Sequence, residues 1–105
     1  MHFYEMFKHY RKVKIPIKGR LYTLAIADTP SKKKLGLSKL KKLPPKCGML
    51  FSYNNPTNHA FTMEKTSIPL TIIFLDDKFR VIDNFKCRPF EKKKVRPKSD
   101  YYYVI

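Results

Sequence analysis

The side chains with the most chemistry to offer are lysines, and they fall in two blocks. Residues 31–46 hold seven lysines (Lys32, Lys33, Lys34, Lys39, Lys41, Lys42 and Lys46) and no acid. Residues 86–98 hold seven basic residues, among them Lys92, Lys93, Lys94, Arg96 and Lys98, against the single acid Glu91. Mobile ammonium groups strung along a segment neutralise phosphates and release counterions, which gives affinity without any reading of base sequence. The excess of lysine over arginine favours such diffuse attraction over the bidentate pairing by which arginine reads a base edge. With a formal net charge of +15 on 105 residues, the expected partner is an anion: nucleic acid, an acidic membrane face or an acidic protein surface. The plainer alternative is a solvated lysine surface.

Other chemistry finds little support. His2, His9, His59, Cys47 and Cys87 are scattered and form no CxxC or HxxxH unit, so neither a metal nor a cofactor is expected. Cys47 with His59 is the one thiol–imidazole pair near the apolar core, yet a cysteine beside Gly48 reads more simply as a small buried residue. Asp76 and Asp77 lie between apolar runs and read as turn residues. Three glycines make no phosphate-binding loop. No catalytic residue is assigned, and a non-enzymatic module is favoured over an enzyme of unknown reaction. Two cysteines are too few for a disulfide framework and are expected as thiols. Alternation along Tyr101, Tyr102 and Tyr103 should expose at least one ring that could stack on a base.

The elements that position these residues follow from pattern. Phe3, Phe7 and Tyr10 share one helical face, so residues 1–10 are expected to dock on the body. Val13, Ile15 and Ile17 alternate with Lys12, Lys14 and Lys18, and a turn at Lys18-Gly19 leads into a second strand from Leu21 to Ala27. Pro16 suits a sheet edge. Thr29-Pro30 starts a short helix, with Thr29 as cap, that ends at Gly36 or Leu43-Pro44-Pro45. Gly48 to Tyr53 is a buried strand, Asn54 to Asn58 a turn cluster, and Ala60 to Lys65 a further strand. Leu70 to Leu75 pairs with Phe79 to Phe85 in a hairpin, residues 88–99 form a basic loop, and the tyrosines begin a final strand. The expected fold is α+β and β-rich: a compact antiparallel sheet or small, partly open barrel with one short helix, over residues 11–105. Gly48 should lie where a side chain would clash or φ is positive, and Phe51, Phe61, Leu70, Ile72 and Phe74 should be buried.

Between Cys47 and Asn84 the chain is near neutral, with Lys65, Lys78 and Arg80 against Glu64, Asp76, Asp77 and Asp83. Pro69, Thr71 and the paired aspartates interrupt the longest apolar run well short of the roughly 18 residues of a membrane span. The N-terminal residues lack the continuous apolar stretch of a signal peptide. A cytoplasmic location is expected, in a cell or an infected host.

One constellation resembles a known family. Ala27-Asp28-Thr29-Pro30, Leu35-Gly36-Leu37, Leu43-Pro44, Gly48-Met49-Leu50-Phe51, Phe61-Thr62-Met63-Glu64-Lys65-Thr66, Pro69-Leu70-Thr71-Ile72 and Phe74-Leu75-Asp76 together resemble, in order and spacing, the pattern of domain of unknown function 192. The likeness runs from about Lys12 to Val104. It implies a compact β-rich domain with a short helix, in a family found in bacteria, archaea and some cyanobacterial viruses, with no established activity. That range admits a small accessory virion protein within a larger assembly. The departures fall at polar and aromatic positions: the family's tryptophan is Thr62, its asparagine Lys65, and its aspartate after Pro-Leu is Thr71. These three, with Thr66, mark a second expectation, a small-ligand pocket near Thr62, Lys65, Thr66 and Thr71.

Overall fold

The computed structural model describes residues 3–105; His2 lies outside them. Two short helices, α1 (Phe3–Met6) and α2 (Pro30–Leu35), accompany six strands. The strands are β1 (Lys12–Ile17), β2 (Arg20–Ala27), β3 (Cys47–Thr57), β4 (Leu70–Leu75), β5 (Val81–Cys87) and β6 (Tyr101–Val104). They form one open, mixed sheet in the order β1-β2-β3-β6-β4-β5. The fold is mostly β with little helix. One pair breaks the antiparallel rule: β2 and β3 run parallel, because the segment containing α2 carries the chain back to the starting end, as a parallel pair requires.

Local chemistry explains the turns. Lys18 and Gly19 both take positive φ, 50° and 79°, which is what a two-residue hairpin of matching twist demands. Pro16 sits on β1, an edge strand. Thr29 Oγ1 accepts from Lys32 N at 3.3 Å, Pro30 opens α2, and Gly36 N–H closes it on the Lys32 carbonyl.

Three expected elements differ. The Asn54–Asn58 turn cluster is largely strand: β3 continues to Thr57, where it meets Tyr101 after a register shift beyond Ser52. Pairing with β6 overrides turn propensity there. Residues 60–65 make no strand beyond a single bridge from Phe61 to Val95. β5 begins at Val81 because Asp76 holds the preceding residues in a turn, its Oδ1 accepting from Lys78 N at 2.8 Å and Arg80 N at 2.9 Å, while Phe79 takes φ of 61°.

Those donors, the Arg80 amide first, hold the Asp76 carboxyl below the ordinary value of 3.8. A depressed carboxylate adds stability that is present above its unfolded value and is lost as pH falls through the folded one. Asp76→Asn should therefore lower the urea midpoint at neutral pH, and the gap to wild type should close below about pH 4. An equal gap at pH 7 and pH 2 would remove the turn carboxylate from this role.

Alternation places Ala25, Ala27, Cys47, Met49, Phe51, Ile72, Phe74 and Val104 on one face of the sheet. Phe3 and Phe7 from the N-terminal segment, with Leu40 and Ile68, cover Ala25, Ala27, Cys47 and Met49. Met63 and Tyr101 pack with Ile72, Phe74, Cys87 and Val104. Both cysteines are buried free thiols. Gly48 has no positive φ, but a Cβ there would lie 3.1 Å from Leu24 Cδ2, so the close-approach reason for glycine holds. Ile72 and Phe74 are buried as expected, whereas Phe51, Phe61 and Leu70 are only half-buried because they border a cavity. The tyrosines also differ: Tyr101 is fully buried, Tyr102 and Tyr103 are half-buried, and Tyr103 is stacked on Phe79 with ring centres 4.1 Å apart. None presents a free ring to solvent.

Candidate functional site

A cavity of about 660 Å³ opens beside β3 and β4. Thr62, Lys65, Thr66 and Thr71 all line it. They arrive from two directions. Thr71 lies on β4, with its side chain exposed, while the other three lie on the loop between β3 and β4. That loop is shaped by its own hydrogen bonds: Thr62 Oγ1 accepts from Glu64 N at 3.2 Å, and Thr66 N donates to the Met63 carbonyl at 2.9 Å. Thr66 is consequently buried, and Lys65 is left exposed.

The basic blocks flank this cavity. Lys33 and Lys34, on α2, line it directly. Residues 90–95 are fastened to its Phe61–Thr66 wall by three contacts. Phe61 and Val95 exchange both main-chain bonds at 2.9 and 2.8 Å, Phe90 N donates to the Thr66 carbonyl at 2.9 Å, and Thr62 Oγ1 donates to the Glu91 carbonyl at 3.4 Å. Lys92, Lys93 and Lys94 sit on that fastened segment and are exposed, as are Arg96 and Lys98.

The lysines are not equivalent. Lys32 Nζ stands 3.8 Å from Asp28 and 4.8 Å from the centre of the Tyr10 ring. Lys33 Nζ stands 3.9 Å over the Tyr53 ring, and partial burial lowers its pKa. Both therefore hold structure as well as charge. Lys34, Lys39, Lys41 and Lys42 are exposed and free to meet a partner.

The rest of the sequence-level chemistry is not assembled. Cys47 borders the cavity, but its Sγ donates to Tyr4 Oη at 3.6 Å. His59 is exposed and is not among the lining residues; its carbonyl accepts from Tyr101 Oη at 2.7 Å. Among the described residues no three of histidine, cysteine, aspartate and glutamate gather to hold a metal, and no helix is long and apolar enough to cross a membrane. Sequence reasoning missed Ile17, Lys18 and Tyr22, which also line the cavity. Only the sheet order brings that first hairpin to it.

Comparison with known proteins agrees with this architecture. Residues 13–105 match the family model DUF192, described as "Uncharacterized ACR". No curated protein matches the chain. Two solved structures share the fold. A protein of Sinorhizobium meliloti 1021 called a "putative transcription regulator" superposes with a TM-score of 0.79 at 24% identity, over 90% of this chain and 78% of that one. A protein of unknown function from Novosphingobium aromaticivorans DSM 12444 gives 0.77 at 24% identity, over 90% and 70%.

Proposed function

The chain belongs to the DUF192 family, and from that premise we propose that it is a non-enzymatic binding module that holds an anionic partner across the cavity between its two lysine blocks. One observation carries the reading. Lys33 and Lys34 line the same cavity whose Phe61–Thr66 wall is hydrogen-bonded to the segment bearing Lys92, Lys93 and Lys94. The sheet thus brings two blocks that are far apart in sequence to one site. Around it stand threonine hydroxyls and ammonium groups, which bind anions and acceptors. The partner is a nucleic acid or an acidic protein surface, met in the cytoplasm or within an assembly such as a virion. The name carried by the S. meliloti protein is a reason to include duplex DNA among the probes.

The test is salt-dependent binding by two triple variants. Lys34→Gln, Lys41→Gln and Lys42→Gln form one; Lys92→Gln, Lys93→Gln and Lys94→Gln form the other. All six lysines are exposed, so both variants should unfold within about 0.5 kcal/mol of wild type. Each should weaken binding to the copurified partner. For duplex DNA, the logarithmic salt slope should flatten by about 0.9 per phosphate contact removed. An acidic protein would respond to one block more than the other. Unchanged affinity in both variants would reduce the lysines to a solvated surface, and a neutral small ligand at Thr62, Lys65, Thr66 and Thr71 would become the better account.

A further inference from the structure

The cavity is lined by consecutive residues on two strands: Cys47, Gly48 and Met49 on β3, and Leu70, Thr71 and Ile72 on β4. Neighbours along a strand point to opposite faces of a sheet. A hollow that touches all of them therefore lies at the strand edges, within the sheet, rather than on either face. The pairing explains why. β6 lies between β3 and β4, opposing Phe51 and Ser52 on one side and Phe74 and Leu75 on the other. Its last rung is Ile105, which exchanges main-chain bonds with Ile73 at 2.8 and 2.9 Å. Beyond that rung, among the described residues, nothing pairs with β3 or β4 on their facing edges. Strands joined to a common neighbour stand about 10 Å apart, so the opening is one strand wide.

The direction of the main chain fixes what the opening offers. Ile73 turns its N–H and carbonyl toward β6, and main-chain groups alternate along an antiparallel strand. Thr71 therefore turns its own pair into the opening. On β3, Lys46 turns its carbonyl to β2, accepting from Thr23 N at 2.8 Å. By the same alternation Gly48 faces β2, and Met49 faces the opening. Two donors and two acceptors are thus presented from opposite sides, a pattern that an extended polypeptide satisfies by adding as a strand. Phosphates along a nucleic acid carry no alternating donors with which to match it.

We propose that this slot receives an extended, acidic polypeptide segment, which continues the line of β6 and pairs with Met49 and Thr71. The inference rests on the cavity's being the binding site. In the existing register, the first incoming residue lies opposite Met49 and Ile72, on the face of Phe51 and Met63, and suits an apolar side chain. The second lies opposite Gly48 and Thr71, on the other face. Lys18, Lys33, Lys34 and Lys65 line the cavity against the one acid Glu64, so acidic residues complete the segment.

The probe is a capped peptide of alternating valine and glutamate, added to the isotopically labelled whole chain at millimolar concentration while amide hydrogen exchange is followed by NMR. Binding should slow exchange at Met49 and Thr71. Gly48 and Ile72, whose amides face β2 and β5, should not respond. Methylating the backbone nitrogens of the peptide valines should abolish binding, and Thr71→Pro, which deletes one donor, should weaken it about fivefold. A peptide that binds in a salt-dependent way without slowing Met49 or Thr71 overturns strand addition and leaves the anionic partner standing. Binding of duplex DNA but not of the peptide overturns strand addition in the same way. Binding of neither, with no response to the lysine variants, overturns both.

Discussion

Replacing Phe74 by alanine should lower unfolding stability by about 3 to 5 kcal/mol, the range for deleting a fully enclosed aromatic ring. Phe74 is 0% exposed and makes edge contacts with three rings: Tyr101 at 4.8 Å, Phe61 at 5.7 Å and Phe85 at 6.0 Å between centres. Those rings come from β6, the cavity loop and β5, so the space left behind cannot be closed by moving one element alone. Val81, on the next strand but exposed, is the control, and its alanine variant should stay within about 0.5 kcal/mol of wild type. Urea unfolding measures both. Similar small losses at the two positions would mean that the second apolar cluster is not where stability resides.

The second large effect is expected at the other end of the sequence. Phe7→Ala should also cost about 3 to 5 kcal/mol, although Phe7 lies outside every strand. Its side chain is 0% exposed, with Phe3 at 5.2 Å and Tyr10 at 5.0 Å. Its carbonyl accepts from Lys12 Nζ at 2.8 Å, which ties the segment to the start of β1. Ala25, Ala27 and Met49 belong to the same apolar cluster. Thermal unfolding should show one transition moved to lower temperature. A main transition at the wild-type midpoint, preceded by a separate small one, would mean that the N-terminal segment only decorates a self-sufficient sheet.

Elements governed by neighbouring residues are legible in the sequence. The Lys18-Gly19 turn and the Thr29-Pro30 helix start each depend on a few adjacent side chains and backbone angles, and both lie where those residues require. Elements governed by distant partners are not. Asn54, Asn55 and Pro56 have turn chemistry, yet the pairing of Thr57 with Tyr101, 44 residues on, keeps them in β3. The insertion of β6 between β3 and β4 leaves no local trace. It is also what opens the cavity and leaves Phe51, Phe61 and Leu70 half-exposed, where hydrophobicity alone suggests full burial. Resemblance to the family supplies Thr62, Lys65, Thr66 and Thr71, but not the reason that Thr71 belongs with the rest. That reason lies in its main chain, and no pattern of side chains reveals it.

The placement of β6 also constrains how the chain can fold. The β1–β2 and β4–β5 hairpins close over short turns, so they can form within microseconds of collapse. β3 can then join the first hairpin through the α2 crossover. Neither half contains the whole sheet, because the two are bridged by the four residues of β6. Rungs such as Phe51 with Val104 join residues more than fifty positions apart, and the entropy of closing such loops comes before their reward. The rate-limiting event is therefore the capture of one short strand by two preformed edges. Until it happens, both edges stand unpaired, and it is in that interval that the protein is most exposed to mispairing with another copy.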